Sequence, residues 1–69
     1  MVEVFKTSVT QHEHAVKLIS ALSDLYPHYK INFDLHDCDN ILRVEGDDIC
    51  NHSIINVLAC KGYECCVLE

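Results

Sequence analysis

His12, Asp34, His36 and Cys38 carry the side chains best suited to holding a metal ion, and Cys50 and the adjacent pair Cys65-Cys66 those best suited to thiol chemistry. Spacing decides what each can do. His12 falls where a helix is expected to begin, and the positive end of the helix dipole favours the neutral, ligating imidazole there. One imidazole is not a chelate, and a first-turn His is equally at home in solvent. His14 lies two residues on and so on a different side of the helix, whereas side chains three or four apart are the ones that meet. Asp34, His36 and Cys38 alternate along what reads as a strand, which puts all three on its outer face. They offer an oxygen, a nitrogen and a sulfur, a donor set that could begin a Zn(II) or Ni(II) site, although a spacing of roughly 7 Å between next-nearest side chains is long for one ion.

Among the thiols, Cys50 stands at or beside the start of a second helix. There the backbone dipole stabilises thiolate, so Cys50 is expected to react fastest with an alkylating reagent. Cys65 and Cys66 are neighbours on a strand and point to opposite faces, one inward and one outward, and a disulfide between them would distort the ladder. Cys60 is expected on the polar side of its helix. Five Cys is an odd count without secretory context, so reduced thiols are expected rather than a disulfide framework. No Cys-x-x-Cys supports disulfide exchange, and a redox sensor at Cys50 or Cys66 would need an acidified thiol with a reversible oxidised form. No Gly-rich phosphate loop is present, nor a nucleophile with an evident base, nor carboxylates forced into a shared apolar pocket. The chain reads as a binding protein, not an enzyme.

The elements that position these residues follow from periodicity. Val2 and Val4 alternate with Glu3 and Phe5 in a first strand ending near Thr7. Thr10-Gln11-His12-Glu13 has the form of a capping box, with Thr10 as N-cap. Ala15, Leu18, Ile19, Leu22, Leu25 and Tyr26 form one helical stripe, which Pro27 brings to an end. Ile31, Phe33 and Leu35 alternate with polar residues in a second strand; residues 37–40 have turn chemistry, and Ile41 to Glu45 is the hairpin partner. A second helix carries Ile54, Ile55 and Leu58 inward, Gly62 is its left-handed cap, and a short strand spans residues 64–68. The expected fold class is α+β: a single domain over residues 1–69, a ferredoxin-like βαββαβ sandwich with a four-stranded antiparallel sheet of order 4-1-3-2 and two helices on one face. That topology gathers residues 7–12, 37–40 and 61–63 at one end.

With that order in place, the chain resembles a heavy-metal-associated domain, the module of copper chaperones and of the N-termini of metal-transporting ATPases. The resemblance runs through Val2-Glu3-Val4, His12-x-x-x-Val16 with Leu22, and Ile54-Ile55-x-x-Leu58-x-x-x-Gly62-Tyr63. In that family the loop after the first strand carries Met-x-Cys-x-x-Cys, the second Cys lying four residues before a buried Val. Aligned on Val16, the ligand positions hold Val9 and His12, and the Met position holds Thr7. Two thiolates suit near-linear Cu(I), so one lost donor and one imidazole weaken that site greatly. The resemblance implies association with a transition-metal ion, Cu, Zn or Ni, through a degenerate site of His12 with Cys38 and His36.

Eleven acidic against five basic side chains, a formal charge of −6, argue against a nucleic-acid partner, because phosphate affinity comes largely from Lys and Arg. Neither a signal-peptide run nor a membrane-length apolar stretch is evident, so the chain is expected to be cytoplasmic and off the membrane. The alternative to metal association is a metal-free interaction or regulatory module. It would use the open face of the sheet for a homodimer or a protein partner, with Phe5 left outward if Val2 and Val4 pack under the helices, and Tyr63 as a second surface residue.

Overall fold

The computed structural model of the chain describes residues 1–68. Its elements are β1 (Val2–Thr7), α1 (His12–Leu25), β2 (Lys30–Asp34), β3 (Ile41–Glu45), α2 (Asn51–Cys60) and β4 (Cys65–Val67). The strands form one antiparallel sheet in the order β2-β3-β1-β4, which is the expected order read from the other edge. Leu18 and Leu22 of α1 and Ile54 and Leu58 of α2 pack with Phe5, Ile31, Leu42 and Val44 of the sheet in one core, the ferredoxin-like arrangement.

Register decides which face of each strand is inside. Phe5 pairs with Leu42 on one side and Val67 on the other, and Leu42 pairs with Phe33, so one apolar row crosses all four strands beneath the helices. Phe5 is fully buried whereas Val2 is 51% exposed, so the expected orientation of β1 is reversed and Phe5 is not a surface residue. A period-two strand has two settings, and the run Val2-Glu3-Val4-Phe5 is apolar in both. The setting adopted buries the larger ring, and with it Thr7. Val2, Val4 and Lys6 are turned to the open face, where their β3 partners are Glu45, Arg43 and Ile41. Ile41 is 6% exposed there without belonging to the core cluster.

The α1 start also departs from expectation. Gln11, extended at φ −114° and ψ 134°, is the N-cap, with no side-chain cap, so the Thr10–Glu13 box does not form. The Gln11 carbonyl instead accepts the amides of His14 and Ala15, both at 3.1 Å. Inward residues are Ala15, Leu18 and Leu22, while Leu25 is 59% and Val16 50% exposed, so the buried Val that the family resemblance implies at position 16 lies on the flank of the helix. At the other end the Tyr26 amide donates to the Leu22 carbonyl at 2.8 Å, immediately before Pro27. Tyr26 stacks on Tyr29 at 5.1 Å between ring centroids, and the Tyr29 hydroxyl donates to the Asp48 carbonyl at 3.0 Å. The Tyr29 ring lies so close over Gly46 that a Cβ there would stand 2.5 Å from Cδ1, so any other residue at 46 must displace the ring.

The α2 terminus follows expectation. Gly62 adopts φ 90°, its amide donates to the Ala59 carbonyl at 3.0 Å, and the Tyr63 amide reaches back to the Leu58 carbonyl at 2.9 Å. This is the paired bonding of a Schellman cap.

Candidate functional site

The three connections expected at one end of the sheet do meet. The Ser8 amide donates to the Glu64 carbonyl at 3.1 Å, the Glu64 amide to Ser8 Oγ at 2.9 Å, and the Thr7 amide to the Asp39 carbonyl at 3.2 Å. Thr7 is the pin of this arrangement. Its buried hydroxyl donates to the Asn40 carbonyl at 2.6 Å and accepts the Val9 amide at 3.2 Å, tying the loop after β1 to the β2–β3 turn.

That turn is built by its own carboxylates. Asp34 Oδ1 accepts the His36 amide at 3.1 Å and Asp37 Oδ1 the Asp39 amide at 2.9 Å; the Asn40 amide donates to the Asp37 carbonyl at 3.0 Å with Asn40 at φ 48°. Side chains of Asp and Asn commonly bond backbone two residues on in this way and tolerate the left-handed region. The chain therefore turns directly after Asp34, and His36 and Cys38 lie in the turn rather than on the outer face of a strand. The expected alternation of Asp34, His36 and Cys38 does not hold.

What the turn brings together instead is Asp37, Cys38 and Asp39. A carboxylate oxygen from each Asp and the Cys38 Sγ all lie within 4.8 Å of one another, the one such group among the described residues. Asp39 also stands 3.7 Å from Lys6 Nζ, an exposed ion pair of the kind that contributes little to stability. His12 and His36 are elsewhere: with Asp34, Val16 and Ile19 they line a surface groove of about 480 Å³ between the start of α1 and the outer edge of β2. The candidate ligands thus fall into two places, with Cys38 in the turn and the two imidazoles on the groove. Asp37 and Asp39 read from sequence as turn formers, which Asp37 is; their flanking of Cys38 was the available sign that their carboxylates lie beside its sulfur.

The position where the resembled family binds metal does not fit that chemistry here. Val9 is completely buried in the core and has no donor atom, and Thr7 is engaged on both sides of its hydroxyl. Of the three aligned positions, Thr7, Val9 and His12, only His12 is exposed and offers a free donor atom.

Cys50 is the N-cap residue of α2, exposed, with Sγ accepting the Ser53 hydroxyl at 3.2 Å. That bond, helped by the backbone amides of Ser53 and His52, holds the thiol below its ordinary value. Cys65 is the reverse: half-buried beneath the helices, it is pushed up to about 12 by burial and by the neighbouring Cys66. Cys60 is exposed, as expected, and of the neighbouring pair it is Cys66 that faces out. Because thiolate is the attacking form, limited iodoacetamide at neutral pH is expected to label Cys50 first and Cys65 last, as read by peptide mass spectrometry. Ser53→Ala is expected to move the midpoint of the Cys50 rate–pH profile upward. Tyr63, the second surface candidate, is half-buried, its ring 6.0 Å from that of His14 in a recess with Lys17, Leu18 and Lys61.

Compared with known proteins, the chain matches no family model, and no curated protein matches it. No helix among the described residues is long and apolar enough to cross a membrane.

Proposed function

We propose that this chain is a small, non-enzymatic metal-associating protein that holds a divalent ion at the β2–β3 turn, with Cys38 as the anchoring ligand and Asp37 and Asp39 beside it. The observation that carries this reading is the convergence of one sulfur and two carboxylate oxygens within 4.8 Å. The turn also lies at the same end of the sheet as the loop in which the resembled heavy-metal-associated family keeps its ligands, and Thr7 joins the two. One thiolate with two carboxylates is a harder donor set than two thiolates, so it suits Zn(II) better than Cu(I), with water completing a tetrahedral shell. Cys38 must be a thiolate to bind, so affinity falls as pH falls.

Native mass spectrometry of the reduced protein, titrated separately with Zn(II), Ni(II) and Cu(I), tests the proposal. One Zn(II) per chain at micromolar concentration, retained in His12→Ala and lost in Cys38→Ser, is the expected result. No retained metal at that concentration would overturn it. A second reading, a metal-free interaction module, draws on a separate observation: Val2 and Leu68 are 51% and 41% exposed at the open side of the sheet, with Val4 half-buried between them in the pairing. That reading gains if no metal is retained.

A further inference from the structure

β2 is one of the two edge strands of the sheet, and among the described residues nothing pairs with its free side. Exposed edges are usually blunted by a short strand, exposed charges, a proline, a bulge or an inward-pointing charge. Lys30–Asp34 is short and carries exposed charges at its ends, but it contains no proline, its pairing to β3 runs residue by residue without a bulge, and its inward side chains are Ile31 and Phe33. Its charges sit at its two ends with opposite sign, Lys30 and Asp34, placed symmetrically about Asn32.

That arrangement is complementary to itself. Set antiparallel to a second β2 and centred on Asn32, Lys30 of each copy stands opposite Asp34 of the other, and Ile31 opposite Phe33. Opposite charges and aromatic–β-branched pairs are the cross-strand combinations that stabilise a ladder. Parallel pairing in register would set Lys30 beside Lys30. A shift of one residue turns the inward row outward, and a shift of two separates both charge pairs. The strand is also neutral in a chain of formal charge −6, so pairing it with a second copy sets no net charge of one strand against the other. On the helix side the same edge continues into the groove lined by Val16, Ile19, Phe33 and Leu35, where Val16 is 50% exposed. A second strand on this edge carries its own Ile31 and Phe33 to the side of the sheet on which this groove lies.

We propose that the chain forms a two-fold dimer by antiparallel pairing of its β2 edges about Asn32, with Lys30 and Asp34 of the two copies opposed, so that one sheet runs through both. The contact is isologous, the same patch meeting itself, and it closes after two copies. It is independent of the metal reading, since it uses neither Cys38 nor its flanking carboxylates.

Sedimentation equilibrium at low salt over the micromolar range tests it on wild type, Lys30→Glu and Asp34→Asn, with circular dichroism confirming that each is folded. Asp34→Asn keeps an oxygen for the His36 amide and so separates loss of charge from loss of the turn. Wild type is expected to dimerise; Lys30→Glu, which sets like charges opposite each other twice across the two-fold and once against Glu45 within each chain, to raise the dissociation constant about tenfold; and Asp34→Asn, which removes the same two charge pairs without touching Glu45, to raise it less. A monomeric wild type up to hundreds of micromolar would overturn the proposal and leave the edge to an extended segment of another protein. A dimer indifferent to Lys30→Glu would overturn it equally, placing the contact on another face.

Discussion

Phe5→Ala is expected to leave much of the chain unfolded at physiological temperature. The ring is completely buried at the middle of the row Val67, Phe5, Leu42 and Phe33, touching the layer that both helices cover. Truncating a buried Phe to Ala typically costs about 3–5 kcal/mol, through lost transfer free energy and the cavity left behind. A domain below about 70–80 residues rarely draws more than about 3–5 kcal/mol from its core. The one substitution therefore approaches the whole stability of the fold. Val2→Ala, on the exposed side of the same strand, is expected to change stability by less than about 0.5 kcal/mol. Urea denaturation followed by circular dichroism checks both, and a larger loss at Val2 than at Phe5 would contradict the register.

Thr7→Val keeps the shape of the side chain and removes only its hydroxyl, yet it is expected to cost about 1–3 kcal/mol, the penalty of leaving buried polar groups without partners. Both the Asn40 carbonyl and the Val9 amide lose their bond to Thr7 Oγ1. Thr7→Ser, which keeps the oxygen, is expected to recover most of the loss; equal urea midpoints for Thr7→Val and wild type would show that the pin carries no weight. The same substitution loosens the turn that holds Cys38 and should weaken metal binding along with stability, which ties the fold and the proposed site to one residue.

The order of elements was legible because its signals are local and mechanistic. Pro27 ends a helix by sterics, Gly62 caps one at positive φ, and the alternation from Lys30 to Asp34 has a single apolar parity. The face of β1 was not legible, because Val2, Val4 and Phe5 make both parities apolar and only tertiary packing chooses between them. The arrangement around the candidate site was half legible. Cys38 and the end of the sheet where it lies follow from topology, but its neighbours depend on where β2 stops, and the turn that ends it carries bonds from the His36 amide to Asp34 Oδ1, the Asp39 amide to Asp37 Oδ1 and the Asn40 amide to the Asp37 carbonyl. A strand continuing to residue 38 would align His36 with Cys38; a turn beginning at residue 35 replaces His36 with Asp37 and Asp39. The Thr10 capping box failed for a comparable reason: α1 starts at His12, with Gln11 as its N-cap, which leaves Thr10 outside the cap.

Residue-resolved alkylation of the reduced protein with and without one equivalent of Zn(II) tests the proposed metal site most directly, because it reports which thiol the ion occupies. The account predicts that Zn(II) protects Cys38 alone, that protection disappears as the pH is lowered, and that Cys50, Cys60 and Cys66 react at unchanged rates. Protection of Cys50 or Cys66 instead, or no protection at all, would contradict a metal site at the β2–β3 turn.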